Sequence, residues 1–262
     1  MESALVAWAH RNTALAVAGF AVAFRCTHHL LRNLPLPKVV RIDAFRTWKW
    51  RNLSVSMVHS LLTGIWAVTS LILEPDMVHK IYDFYTPLSY LLVCVSSGYF
   101  VQDACDIIFT GHARGSWEFL LHHFLVLCSF LYTLFSWHYV AGAVVALLVE
   151  VNSVTLHMRL MLKLAEAQHT PLYKANRLLN VFTYVFFRLS AQFYLTWYIH
   201  YNYHVLDQAA YFMVTMVLMN IMILIYFYRL IRADFFPRKK RHAEQNGSAH
   251  GGDSSNTRFL ND

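Results

Sequence analysis

The length of the apolar runs constrains this chain most. Stretches such as LLVCVSSGYF and AVVALLVEV lie inside much longer hydrophobic segments. Crossing the hydrocarbon core of a bilayer takes roughly 20 apolar residues at about 1.5 Å rise each. Seven segments read as spans: Ala4–Phe24, Leu53–Leu73, Tyr85–Phe109, Glu118–Phe135, His138–His157, Leu178–Ile199 and Gln208–Ile231. A lone span must satisfy its own backbone polar groups in lipid, so each is expected to be helical. A closed β-barrel would instead show alternating segments of about ten residues. The expected fold is therefore all-α, a polytopic transmembrane bundle of about seven spans. Composition agrees: only 14% of residues are charged, against about 25% in soluble domains.

The distribution of Lys and Arg orients the bundle. The first connection carries Arg25, Arg32, Lys38, Arg41, Arg46, Lys49 and Arg51 against one acid, Asp43. The third carries Arg114, and the fifth Arg159, Lys163, Lys174 and Arg177. The C-terminal run adds Arg229, Arg232, Arg238, Lys239, Lys240, Arg241 and Arg258, while the alternate connections hold only Lys80. With seven spans this places the N-terminus outside and the C-terminus in the cytoplasm. A net charge of +7 then points to anionic lipid headgroups, not nucleic acid.

Four regions follow. Residues 1–24 form a first span, 25–52 a basic cytoplasmic connection, 53–231 the main bundle, and 232–262 a basic tail. After Pro237 that tail is polar and Gly/Ser-rich, a composition that leaves a segment disordered. His10 and Arg11 interrupt the first span, so a cleaved signal peptide competes with it. A basic n-region and a clear small-x-small cleavage site are both lacking. Trp48 and Trp50, set among basic residues, fit an interfacial segment. Only Ser136 and Trp137 join the fourth and fifth spans, which implies a tight hairpin. Cys26, Cys94, Cys105 and Cys128 form no CxxC pair and read as small buried hydrophobes, Cys26 at a membrane edge.

Ionisable residues inside spans are costly and are functional candidates by default. Here they are His59, Asp103, Asp106, His122, His123, Glu150 and Arg188. All but Arg188 lie four to seven residues from the cytoplasmic boundary, roughly 6–11 Å deep. Arg188 is deeper, about 15 Å by the same rise. Asp103 and Asp106 are three residues apart and Tyr99 four before Asp103, so the three share a helix face. His122 and His123 are about 100° apart around the axis and cannot point the same way. Glu150 and His157 lie two turns apart on one face, with Asn152 and Ser153 nearby. Arg188 needs a counter-ion, which Glu150 or an Asp could supply. Three readings stay open: a structural network fixing helix register, a site for a lipid headgroup or acyl carbonyl, and catalysis or metal binding. No HExxH, Gly-rich phosphate loop or GxSxG elbow is present, so no metal or resident cofactor is expected.

Four segments carry a family resemblance: GYFVQDACDIIF, WEFLLHHFLVLCSF, LLVEVNSVTLHMRLML and FRLSAQFY. They resemble the TLC domain, shared by translocation-associated membrane proteins and ceramide synthases, and the likeness covers nearly the whole chain. The domain would occupy 53–231 or begin near residue 40. PLPKVVRIDAFRTWKWRNLSVSMVHSLLTGIWA and the ending RFLND resemble the calfacilitin-like branch of that family. The resemblance implies a multi-pass protein of the plasma membrane, with the endoplasmic reticulum as the alternative. It implies regulation of phospholipid composition and fluidity, limiting incorporation of polyunsaturated, fluidising phospholipids. The partners implied are membrane phospholipids and lipid-synthesis enzymes. A second implied role is modulation of a voltage-gated calcium channel. The ceramide synthases are enzymes whose motif begins with a His pair, matched here by His122 and His123. Their downstream paired acids are replaced by LVEVNSVTLH, with Glu150 and Asn152, which leaves acyl transfer from acyl-CoA an alternative with Asp103 and Asp106 as orienting acids. Enzymatic activity is thus an open question at the level of sequence.

Overall fold

The computed structural model describes residues 4–236. The expected disordered segment and the RFLND ending lie outside the described residues. Within them the chain is all-α, and no strand is present. The helices are α1 (Ala4–Arg11), α2 (Thr13–Arg32), α3 (Ala44–Leu73), α4 (Asp76–His79), α5 (Pro87–Phe109) and α6 (Trp117–Ser136). They continue with α7 (Val140–Ala146), α8 (Val149–Leu164), α9 (Pro171–Thr183), a π-helical segment Tyr184–Leu189, α10 (Ser190–Tyr201) and α11 (Ala209–Phe235).

Six helices among the described residues are long and apolar enough to cross a membrane: α2, α3, α5, α6 with its preceding turn, α7–α8 taken together, and α11. Of the seven expected spans, Leu178–Ile199 is the one that is not among these six. That stretch is not one α-helix. α9 runs into a wide π turn and then α10, without a gap between them. The π turn carries Arg188, which reaches across to polar groups of α8, and such bulges occur where a side chain must be re-aimed. The first span is also displaced. The break falls at Asn12, whose Nδ2 donates to the Trp8 carbonyl, a side-chain bond that competes with helix continuation. The crossing helix is Thr13–Arg32, so Arg25 and Arg32 are helical rather than in a loop.

Local chemistry sets the other boundaries. Asp43 caps α3 by accepting from the Phe45 amide. Thr86 and Ser89 form a capping box at the start of α5, with Pro87 in the first turn. Thr170 caps α9, again followed by Pro. The expected hairpin after α6 is tight, but Trp137 and Tyr139 both adopt left-handed φ, 66° and 62°. That conformation is costly for aromatic residues. Tertiary contacts hold it: the Trp137 ring packs on His10, Tyr85 and Tyr90, and the Tyr139 hydroxyl donates to the Asp207 carbonyl.

α5 is the central helix, with Tyr90, Leu92, Val93 and Cys94 fully buried. It packs on α2, α3, α6 and α7. Against α2 the approach is so close that a Cβ on Gly98 would fall 2.6 Å from the Phe20 Cβ. Cys94 is buried as expected, but Cys26 and Cys105 are exposed on the outside of the bundle. Cross-helix contacts define two ends. Thr13–Tyr90, Tyr82–Asp207 and the His10–Trp137 cluster mark an aromatic end. Arg25–Asp106, Arg46–Glu166 and Arg159–Asp234 mark a basic end.

Candidate functional site

A cavity of about 240 Å³ lies toward the basic end. Its wall is drawn from α3, α5, α6, α8, the π segment and α11. These helices alternate in direction, so residues from the start of α3 and α6, the far ends of α5 and α11, and α8 meet in one layer. Phe100, Leu156, Leu160, Met222 and Ile223 supply apolar wall, and Asp103, His122, His123, Glu150, His157 and Arg188 supply ionisable groups.

His123 and Asp103 are a pair. His123 Nδ1 lies within hydrogen-bond reach of the Phe119 carbonyl, one turn back on α6, and therefore carries a proton. Its Nε2 stands 2.9 Å from Asp103 Oδ2. The approach is off the line of a good hydrogen bond, so this is a close charge contact. A bare lone pair facing a carboxylate is repulsive, whereas a protonated imidazole there is attractive. Asn52 on α3 donates to the other Asp103 oxygen. His122 points differently, as its adjacent position requires. It lines the cavity and makes no hydrogen bond to the protein. His157 also lines it, with Nδ1 unpaired.

Glu150 accepts from the Ser60 hydroxyl at 2.6 Å and lies 3.7 Å from His59 Nδ1. The α7–α8 junction helps aim it, because the Leu148, Glu150 and Val151 amides bond three residues back, tightening the helix there. Arg188 donates to Asn152 Oδ1 and Ser153 Oγ, each at 2.8 Å, and at longer range to the Val149 carbonyl.

Several candidates have partners that spacing along the chain did not decide. Asp106 does not share a site with Asp103. It turns toward α2, where Arg25, with the Trp48 indole of α3, holds it at 2.9 and 3.0 Å. Three residues of helix rotate a side chain by about 300°, and neighbours on α2 and α3 claim the difference. His59 is wholly buried, stacked on Tyr99 with centroids 3.8 Å apart, and does not line the cavity. Tyr99 does line it, its hydroxyl donating to Ser56. Asn152 is spent on structure, donating to Asn180 and Thr183 and so joining α8 to α9. Among the described residues Arg188 has no acidic partner: neither Glu150 nor an Asp pairs with it.

Several participants carried no sequence signal beyond residue type. Glu118 takes a bidentate grip from Arg229 and a hydroxyl from Tyr226, tying α6 to α11 beside the cavity. Arg159 and Asp234 form a buried pair between α8 and α11, with Nε–Oδ2 at 2.9 Å. Position along the chain had put Arg159 in the fifth connection and Arg229 in the C-terminal run. The clue was Asp234, a lone acid inside a basic run. No group of three or more His, Cys, Asp or Glu among the described residues is placed to hold a metal ion.

A family model for the TLC domain matches residues 49–232, most of the chain. The chain belongs to the TLC domain family. Relatives sharing this domain include TLC domain-containing protein 1 of Gallus gallus, 41% identical over 89% of this chain and 92% of the relative. The Homo sapiens protein of the same name is 40% identical over 87% and 93%. TLC domain-containing protein 2 of Danio rerio is 37% identical over 86% and 91%. The TLC chain is therefore a multi-helix membrane protein, as its apolar lengths and family resemblance led one to expect.

Proposed function

We propose that this TLC protein holds the polar end of an acyl lipid in the cavity at its basic end, and through it regulates phospholipid composition and fluidity. The membrane is the plasma membrane, the basic end faces the cytoplasm, and α9, the π turn and α10 together make the seventh crossing. The protein limits entry of polyunsaturated, fluidising acyl chains into phospholipids. The observation supporting this is the cavity itself: apolar wall and ionisable floor in one layer, the pattern of a site for an amphiphile. Deletion followed by lipidomics under polyunsaturated fatty-acid challenge tests it. Acyl-chain profiles should shift toward polyunsaturation; unchanged profiles would overturn the reading.

Acyl transfer is a second reading, favoured by the His123–Asp103 pair beside an unbonded His122. In that chemistry His122 takes the proton of an acceptor hydroxyl or amine as it attacks an acyl thioester carbonyl, and the thiolate leaves and is protonated. The donor would be acyl-CoA. Its test is purified protein with acyl-CoA and lysolipid or amine acceptors. If His122→Ala and His123→Ala leave the cellular lipid phenotype intact, transfer is excluded.

A further inference from the structure

We infer that Arg188 is an anion anchor, so that the cavity takes acidic acyl lipids, carboxylate or phosphate, over neutral ones. This rests on the reading that the cavity holds the polar end of an acyl lipid. Arg188 stands on the π turn, and its hydrogen-bond partners among the described residues are all neutral: Asn152, Ser153 and the Val149 carbonyl. The Tyr184 ring, 5.4 Å away, adds a cation–π contact but no charge. Among the described residues, no carboxylate lies within ion-pairing distance.

The acids around the cavity are engaged with other groups. Asp103 faces His123 and Asn52. Glu118 is gripped by Arg229. Glu150 accepts from Ser60 and faces His59 on α3. A guanidinium drawn out of water needs a compensating charge, and this one has none from a neighbouring acid. Its Nη1 makes no hydrogen bond to the described residues and is not fully buried, and the residue lines the cavity.

The surroundings suit an anionic headgroup. Nε and Nη2 are fixed by Asn152 and Ser153, which holds the planar fork still and leaves the remaining N–H donors for oxygen ligands. His122 and His157 line the same space with ring nitrogens that make no hydrogen bond to the protein, and each can donate to a second headgroup oxygen. A volume near 240 Å³ is below the roughly 300–1,000 Å³ of pockets that enclose drug-sized ligands. It accommodates a headgroup and the root of a chain. Met222, Ile223 and Leu160 offer apolar wall for that root.

The test is ligand binding to the full chain in neutral-lipid nanodiscs, with three probes of one chain length: oleate, 1-oleoyl lysophosphatidate and monooleoylglycerol. At least one anionic probe should bind about tenfold or more tightly than the neutral one, the size of a lost charged hydrogen bond. Which anion binds better separates a carboxylate ligand from a phosphate one. Arg188→Gln should reduce that probe to the affinity of monooleoylglycerol, and Arg188→Lys should keep part of the preference. Equal binding of all three probes to the wild-type chain would overturn the anchor while leaving the lipid-binding reading intact. So would an anionic preference that survives Arg188→Gln. Binding of no probe would overturn both. The wild-type comparison stands even if Arg188→Gln fails to fold.

Discussion

Asp103 and Asp106 show how much one side chain's direction decides. Both belong to α5, both are buried, and both are carboxylates. One faces the cavity and His123; the other braces α2 and α3 through Arg25 and Trp48. Their substitutions should separate. Asp106→Asn should lower stability by about 1.5–3 kcal/mol, the scale of a charged hydrogen bond, with oleate binding unchanged. Asp103→Asn should strengthen oleate binding severalfold, because it removes a like charge from the cavity wall. Thermal unfolding and binding on the same samples check both. The Arg159–Asp234 pair has side chains 3% and 2% exposed. Removing one partner strands a charge and should cost about 3–5 kcal/mol. The double substitution Arg159→Met with Asp234→Leu should recover most of that, as a thermal-denaturation cycle would read. At the aromatic end, the Asp207 carboxylate accepts from the Tyr82 hydroxyl and raises that phenol to about 12. Folding therefore favours the neutral phenol. Its contribution to stability is complete below the ordinary value near 10 and is lost as pH rises through about 12. Phenolate absorbance should show late ionisation of Tyr82, moved earlier by Asp207→Asn.

Helices carry different duties according to how they are buried. α5 is the axle, and its fit to α2 depends on Gly98. A methyl there would sit 2.6 Å from the Phe20 Cβ and 2.8 Å from the Ala21 amide nitrogen. Neither atom can swing away, so the helices must part. Gly98→Ala should cost about 1–3 kcal/mol, the range for overpacking, read as a lowered melting temperature in detergent. α11 is the opposite case. Beside the cavity it is held to α6 by the Glu118–Arg229–Tyr226 cluster and to α8 by Arg159–Asp234. Polar pairs at a rim let a wall be fastened without filling the space behind it. The π turn between α9 and α10 is the third kind of element. It gives up regular hydrogen bonding where Arg188 must reach α8.

At the scale of the whole molecule, antiparallel traversal gathers basic residues and intramembrane acids and histidines at one end. If that end faces the cytoplasm, labelling will report it. In a background lacking the exposed Cys26 and Cys105, a cysteine at Val205 should react with an impermeant maleimide on intact cells. One at His169 should react only after permeabilisation. Both positions are exposed. The reverse pattern would invert the topology and place the cavity in the outer leaflet.

Much of this organisation was legible in the chain. Apolar length alone determined a helical membrane protein, because an unpaired backbone is too costly in lipid for any other isolated span. Lys and Arg placement marked which ends of the helices group together. The layer of His, Asp, Glu and Arg was visible because charges are so rare at that depth. What helical periodicity could not decide was partnership. It put Asp103 and Asp106 on one face, assigned Arg188 an acid, and counted His59 with the site. Only packing determined that Asp106 turns to Arg25, that His59 is stacked away behind Tyr99, and that Arg188 reaches the cavity without a counter-ion. Periodicity fixes an angle within one helix, whereas a side chain's partner depends on which helices stand beside it and at what register. That information resides in the tertiary structure alone.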